Sequence, residues 1–257
     1  MIIARNEART LPRCLASVHG WVTEIIVGLN DTTDDSAEIA ARYGATVHTL
    51  PWKGFRDTKN AALDLASQSW ALCLDADEEV SPALRKEIEE FFASGAAQRH
   101  AGARFPRKVW FVDRWITHGD WYPDLSLRLV DRSKGQWGGD AFVHEKMECS
   151  GPIARLSGDL HHFSFPTLAS HVAKINPFAE LFVLQQQARG RRFYVSGTIF
   201  RSIWRFFRGY ILKAGFLDGY PGLYIAGANA FGVFVRYSRL YEAERRREPP
   251  LPLTPPR

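Results

Sequence analysis

Between Ile2 and Ala93 short apolar runs alternate with segments of helical period. Ile2-Ile3-Ala4 reads as a strand, and Asn6 to Val18 as a helix with Leu11, Leu15 and Val18 on one face. Glu24 to Leu29 is the next strand. Thr33 to Tyr43 is the next helix, with Ala37, Ile39, Ala40 and Tyr43 as its apolar members. Ala45 to Leu50 and Arg56 to Ala66 repeat the pair, and Ser69 to Leu74 with Ser81 to Ala93 repeat it again. Ser81-Pro82 supplies a capping residue followed by proline at the first helical position. Strands separated by helices predict a parallel sheet with right-handed crossovers, hence an α/β fold. After Gly95 the pattern changes. Arg104 to Val112 and Leu125 to Val130 read as strands of a mixed sheet, and beyond Pro166 the chain reads as helix almost to Glu248. The expected organisation is an α/β domain over 1–165, a helical region over 166–248 and a Pro-rich, disordered tail over 249–257.

The run Ser69 to Leu74 delivers Asp75-Ala76-Asp77-Glu78 to the end of a buried strand, where α/β sheets collect ligands. Two carboxylates one residue apart repel each other and need a cation or must lose a charge. Oxygen ligands of this kind suit Mg²⁺ or Mn²⁺, which share their remaining positions with water and substrate phosphates. That chemistry points to a metal-assisted diphosphate site and a nucleotide-sugar enzyme. The alternative is a polar strand-to-helix turn in which Asp77 or Ser81 caps the next helix.

Two neighbouring segments carry related chemistry. Gly28-Leu29-Asn30-Asp31-Thr32-Thr33-Asp34-Asp35-Ser36 ends the second strand, and its short polar side chains either cap a helix or accept from a nucleobase and a ribose. Lys53-Gly54-Phe55-Arg56-Asp57-Thr58-Lys59-Asn60 opens a helix. Lys59 and Arg56 there either face a diphosphate or form a solvated basic helix start.

The chain of 257 residues is long enough to bury a core without disulfides. Cys14, Cys73 and Cys149 form no metal-spaced pair; Cys14 and Cys73 fall in apolar segments and read as small core residues. The start carries no secretory pattern, and because the first strand begins at the initiator, residues upstream are expected to be missing. No apolar run reaches the roughly 18 residues a spanning helix needs. The net charge of +5 is uneven. From Gln185 to Arg257 there are thirteen Lys or Arg against four Asp or Glu, leaving 20 against 24 of the chain totals of 33 and 28. Nucleic acid, an anionic membrane or an anionic glycolipid are the partners such a basic region suits. No nucleic-acid motif accompanies it, so nucleic acid is set aside.

Taken in order, these elements resemble a bacterial family-2 glycosyltransferase of the GT-A fold, with a helical, basic C-terminal extension. Within that family the chain is most similar to lipopolysaccharide-core glucosyltransferase-like members. Asn6-Glu7 follows the first strand, ahead of Arg13-Cys14-Leu15-Ala16-Ser17-Val18. The loop ending in Asp34, the segment Gly54-Phe55 with Lys59-Asn60-Ala61-Ala62-Leu63, and Asp75-Ala76-Asp77-Glu78 come next. His118-Gly119-Asp120-Trp121-Tyr122-Pro123-Asp124 with Arg128-Leu129, then Val143-His144-Glu145 and His162-Phe163-Ser164, complete the set. Leu29 stands where the family has the first Asp of Asp-Ser-Gly-Ser-Thr-Asp, with Asn30 after it and Asp31 at the Gly position. Asp120 replaces a common Gly.

The resemblance implies an inverting transfer of a hexose from a nucleotide sugar, UDP-linked, to a lipopolysaccharide-core or lipid-linked acceptor. It implies a donor site at Asn6, Glu7, Asn30, Asp31, Asp34, Lys59, Asp75, Ala76 and Asp77. The metal ligands are expected at Asp75 and Asp77. His162 joins them as a candidate, the other possibility being a buried, hydrogen-bonded histidine. The oxocarbenium-like transition state needs a base for the acceptor proton, Glu145 first and Asp124 second. Trp121 and Tyr122 offer flat faces for a sugar or anchor a packed loop, and His144 orients the base or a phosphate. A protein of another class, a catalytically idle GT-A-like scaffold on the membrane, draws support from Leu29; the intact Asp75, Asp77 and Glu145 count against it.

The C-terminal part adds a membrane expectation. From Thr198 to Lys213, Ile199, Ile203, Phe206, Phe207 and Tyr210 fall at helical spacing, with Arg201, Arg205 and Arg208 on other faces and Trp204 and Tyr210 at headgroup level. The competing expectation is a core helix with solvated arginines. The chain is thus expected in the cytoplasm, peripheral on the inner face of the cell membrane.

Overall fold

The structure is a computed structural model that describes residues 1–139, 145–173 and 175–246, with backbone alone for 176–178. The first half runs β1 (Ile2–Ala4), α1 (Leu11–Val18), β2 (Ile26–Leu29), α2 (Ser36–Arg42), β3 (Thr46–Thr49), α3 (Phe55–Asp64), β4 (Trp70–Leu72), β5 (Leu74–Asp75), β6 (Glu78–Val80) and α4 (Pro82–Ala93). There follow β7 (Gly102–Phe111), β8 (Arg114–Trp115), β9 (Asp124–Asp131), β10 (Gly135–Gly139), β11 (Glu145–Cys149), β12 (Ile153–Arg155) and β13 (Leu160–Phe165). Helices α5 (Leu168–Ala173), α6 (Ile175–Ala188), α7 (Val195–Phe207) and α8 (Gly219–Arg245) close the described chain.

The alternation expected of the first 93 residues is present, and β3, β2, β1 and β5 lie side by side in parallel. The run Ser69 to Leu74 is not one strand. β4 pairs antiparallel with β9, Cys73 N donates to Arg128 O at 2.7 Å, and β5 then pairs with β1. One apolar run therefore serves two sheets: Ala71 and Cys73 are buried, Leu72 partly so, and the run has backbone partners in both sheets. The second sheet runs β4-β9-β7-β13-β6 and is largely antiparallel, so the fold is less uniformly parallel than the alternation predicts.

Helix boundaries shift for local reasons. Asn6 is left-handed at φ 53° and breaks the expected helix, so α1 begins at Leu11. Ser81 caps α4, its Oγ accepting from Leu84 N at 3.1 Å, which assigns the capping role to Ser81 and not to Asp77. Beyond Pro166 the helix is broken at 189–194 and again at a π turn over 208–212.

Two compact units result: residues 1–108 with 124–163, and residues 109–123 with 164–257, described as far as 246. The core of the first joins α1 and α4 to the sheets through Leu11, Leu15, Val27, Leu84, Phe105 and Leu160. Cys14 and Cys73 are buried in this unit as expected. The second unit packs Phe111, Ile116 and Ile225 with Trp121, Phe165 and Tyr224 around them. Among the described residues no helix is long and apolar enough to cross a membrane.

Candidate active site

Strands β1, β2 and β5 are parallel, so Ala4, Leu29 and Asp75 end on one edge of the sheet. The loops after β1 and β2 are sewn together there. Asn6 Oδ1 accepts from Thr33 N at 2.8 Å, Glu7 N donates to Ser36 Oγ at 3.0 Å, and Ala8 N donates to Asp34 Oδ2 at 2.9 Å. Asp34 Oδ1 accepts from Ser36 Oγ at 2.6 Å and Ser36 N at 3.0 Å. Those bonds from Ser36 hold the Asp34 carboxyl below its ordinary range. Asn6, Glu7 and Asp34 therefore shape the loop pair. Asn30 is buried beside them. Asp31, at the position where the family has glycine, adopts φ 44°, the left-handed conformation that glycine favours. Its carboxylate is exposed, with Arg5 4.0 Å away.

Asp75 is the centre of a chain of alternating charges. Its Oδ1 lies 2.8 Å from Lys59 Nζ and its Oδ2 accepts from Arg128 Nη2 at 2.6 Å. Lys59 Nζ also donates to Glu145 Oε1 at 3.0 Å. Arg128 Nη2 continues to Glu78 Oε1 at 2.9 Å, which Arg107 Nη1 approaches at 3.4 Å. Arg107 then holds Asp124 Oδ2 through Nε at 3.0 Å and Nη2 at 2.7 Å. The two candidate bases thus sit at the two ends of one network that runs through Asp75. Burial works to raise the Asp75 carboxyl, but Arg128 and Lys59 outweigh it and hold the group well below the usual carboxylate range. Burial likewise works against the Arg128 cation, and Asp75 and Glu78 overcome it.

The elements explain the assembly. The register of β7 on β9 sets Arg107 opposite Asp124. Helix α3 carries Lys59 inward, only 4% exposed, and away from the solvated helix start that its sequence also allowed. Trp137 lies beneath both cations, with Lys59 Nζ 4.4 Å and the Arg128 guanidinium carbon 5.4 Å from its ring centre. Asn60 fixes that tryptophan by accepting from Trp137 N at 2.8 Å and donating to Trp137 O at 2.9 Å.

Asp77 meets a histidine of β13. β6 pairs with β13 so that His162 is opposite Glu78, and Phe163 N donates to Asp77 O at 2.9 Å. His162 Nε2 therefore comes within 3.3 Å of Asp77 Oδ2. Adjacent donors around Mg²⁺ or Mn²⁺, with bonds of about 2.1 Å, lie about 3 Å apart, so the Asp77–His162 pair fits two neighbouring positions of such an ion. Asp75 is placed differently from the expected ligand pair, since each of its oxygens already faces a protein cation. No group of three or more candidate ligands converges among the described residues, so substrate oxygens and water would supply the rest.

The remaining expected residues divide. Ala76 is buried in the turn between Asp75 and Asp77. Trp121 and Tyr122 belong to the second unit. Trp121 stacks on Phe165 with ring centres 5.1 Å apart and meets the edge of Phe111 at 5.4 Å, a packed anchor. His144 lies outside the described residues. Glu78, Asn60 and Arg128 stood in the motifs of the resemblance without a site role of their own, and Arg107 and Trp137 were not singled out. Arg128 was a charge inside a largely apolar strand run, whereas Arg107 was one of three cations in its strand and carried no such signal; Glu78 adjoined Asp77, and nothing marked the pairing of Asn60 with Trp137. A cavity of about 580 Å³ lined by Met1, Val22, Trp70 and Phe92 lies at the amino ends of β1 and β4, away from this network.

A parallel sheet ending in an acidic turn and continuing into a mixed sheet is the architecture of a GT-A glycosyltransferase. The chain belongs to glycosyl transferase family 2, whose model matches residues 1–147. An uncharacterised glycosyltransferase of Rickettsia typhi is 28% identical over 94% of this chain and 85% of its own length. The lipopolysaccharide core biosynthesis glycosyltransferase LpsC of Rhizobium meliloti is 28% identical over 94% of this chain and 90% of its own. Among solved structures, S. aureus TarS in complex with UDP-GlcNAc superposes with a TM-score of 0.47 at 12% identity, covering 95% of this chain and 90% of that one.

Proposed function

We propose that the chain is an inverting glycosyltransferase. It moves a hexose from a nucleoside-diphosphate sugar, UDP-linked first, to a hydroxyl of a lipopolysaccharide-core or other lipid-linked glycan. The observation that carries this is the ion-pair chain tying Glu145, through Lys59, to Asp75 at the end of β5. It connects an acceptor-side carboxylate to the strand end where a donor diphosphate is expected. The named role of the Rhizobium meliloti relative supports the acceptor class.

In this mechanism Glu145 takes the proton of the acceptor hydroxyl as that oxygen bonds to the anomeric carbon. The bond from the same carbon to the diphosphate oxygen breaks, and the nucleoside diphosphate leaves with the electron pair. Attack opposite the leaving group inverts the centre. Lys59 fixes the Glu145 oxygen in position. Glu145 is preferred to Asp124 because Arg107 grips Asp124 through two nitrogens, whereas Lys59 meets Glu145 through its one nitrogen. Asp77 and His162 would hold Mg²⁺ or Mn²⁺, which when bound neutralises charge developing on the diphosphate. Asn6, Glu7 and Asp34 shape the loop pair that receives the nucleoside, and Asn30 and Asp31 offer acceptors to it.

The test is transfer from UDP-, GDP- and dTDP-sugars to core oligosaccharide, with the product anomer read by NMR. Inverted product from a UDP-sugar is expected. A retained anomeric configuration overturns the mechanism, and no turnover or stabilisation with any nucleotide sugar overturns the enzyme assignment in favour of an idle scaffold.

A further inference from the structure

Helix α7 is turned the opposite way from a helix in water. Its apolar side chains Ile199, Phe200, Ile203, Trp204 and Phe207 are exposed, Phe200 by 67% and Ile203 by 64%. Their spacing makes one continuous stripe. The exposure continues along the chain through Leu212, Leu217 and Tyr220, the last by 72%. Part of the polar side faces inward, while Ser196 and Arg201 stay outside. Thr198 is buried, and Arg205 Nε, Arg208 Nη1 and Lys213 Nζ stand 3.1, 2.8 and 3.3 Å from the Asp120 carboxylate, whose side chain is 2% exposed. These are ion pairs without the alignment of hydrogen bonds. The outer face is not the one the helical spacing predicts: Phe206 and Tyr210 are half-buried, their rings 5.4 Å apart, and Phe200 and Trp204 take their place outside.

The charges on this stretch are equally one-sided. Between Val195 and Tyr220 the lone carboxylate is Asp218. It is buried and accepts from Thr117 Oγ1 at 2.9 Å and His118 N at 2.8 Å. Asp120, which the stretch encloses, is also buried. Arg201 is exposed, and Arg205, Arg208 and Lys213 keep about a third of their side chains in solvent. Solvent meets aromatic and aliphatic side chains among positive charges, with no exposed carboxylate in that stretch.

We infer that this face docks on an anionic lipid bilayer, with its apolar side chains at the headgroup–acyl boundary and its cations toward lipid phosphates. An isologous contact between two copies would bring the same cations together. A nucleic-acid duplex would meet the cations and leave the aromatic stripe in water, and the aliphatic side chains Ile199, Ile203, Leu212 and Leu217 offer a single strand no stacking face. A bilayer surface with acidic headgroups covers both components, and the face lies along the surface because no described helix is long and apolar enough to span. The inference rests on the second unit alone and not on glycosyl transfer.

The test is flotation of the full chain, without donor, on vesicles of phosphatidylcholine alone and with about a third phosphatidylglycerol. The wild type is expected to float with the anionic vesicles at low salt. Binding should weaken about tenfold near 0.5 M salt and not vanish, because the apolar component is unscreened. A Phe200→Ser, Trp204→Ser double variant, altered at exposed positions and checked for unchanged melting, should lose at least about tenfold at both salts. Arg201→Glu should lower the low-salt binding alone. Absence of flotation with anionic vesicles at low salt overturns the inference, as does a double variant that floats like the wild type. A wild-type dimer in sedimentation that the same double variant splits assigns the face to a second copy instead.

Discussion

Lys59 Nζ lies 2.8 Å from Asp75 Oδ1, so the first carboxylate of the Asp-x-Asp turn meets a protein cation. Arg128 takes its other oxygen. The two carboxylates that repel on paper are thereby given different jobs: Asp75 organises buried cations, and Asp77 faces His162.

This division separates two conservative substitutions. Asp75→Asn leaves Lys59 with Glu145 and Arg128 with Glu78, but removes the charge both share. A loss of about 3 kcal/mol of stability is expected, the lower end for a broken buried pair. Asp77→Asn should cost less stability than Asp75→Asn, whose carboxylate serves two buried cations, while abolishing most of the response of transfer to Mn²⁺. Urea unfolding and a Mn²⁺ titration of activity check both. Equal destabilisation by the two variants, or an undiminished Mn²⁺ response in Asp77→Asn, contradicts the division.

Glu145→Gln should lower turnover by roughly 10²–10⁴ with donor binding near normal. Asp124→Asn should affect turnover far less, since Glu78 still pairs with Arg107. Single-turnover kinetics with a separate donor-binding measurement distinguishes them. An active Glu145→Gln beside a dead Asp124→Asn moves the base to Asp124.

The first 93 residues were legible because strand and helix periods are local properties of the chain. So was Ser81 as a cap, since its hydrogen bond spans three residues. The charge network was not. Arg107 reaches Asp124 by the pairing of β7 with β9, and Lys59 reaches Glu145 across 86 positions, both consequences of sheet register and packing. The division of Ser69 to Leu74 between two sheets was hidden for the same reason, since pairing partners are not written in an apolar run. The outward stripe on α7 was partly legible. The period gave its spacing, but the buried Asp120 that turns the arginines inward lies far off in sequence.

Burial raises the Glu7 carboxyl, and the Thr10 hydroxyl only partly opposes it. A raised carboxyl binds its proton more tightly in the folded state than in the unfolded one. Stability from this group therefore rises as pH falls through the folded value and levels off below the unfolded one. Glu7→Gln should then raise the melting temperature at pH 7, with the gain shrinking as the pH is lowered toward about 4. Thermal scans across that interval decide it, and a lower melting temperature at pH 7 would show that the charge is needed in the loop pair.

Arginines on α7 should differ sharply in their tolerance of charge reversal. Arg201 lies over the Tyr237 ring at 5.5 Å and is otherwise exposed. Arg201→Glu should cost no more than about 1 kcal/mol. Arg205 stands 3.1 Å from buried Asp120, so Arg205→Glu sets a second carboxylate beside one whose side chain is 2% exposed and leaves Arg208 and Lys213 to balance both. A loss of about 3 kcal/mol or more is expected, well beyond the effect at Arg201. Neutralising both partners tests the cause: Asp120→Asn combined with Arg205→Gln should recover part of the loss, because no unmatched carboxylate remains inside. Denaturant unfolding of the three variants beside the wild type measures each step. Equal costs for Arg201→Glu and Arg205→Glu would mean that Asp120 does not anchor the inward face of the helix.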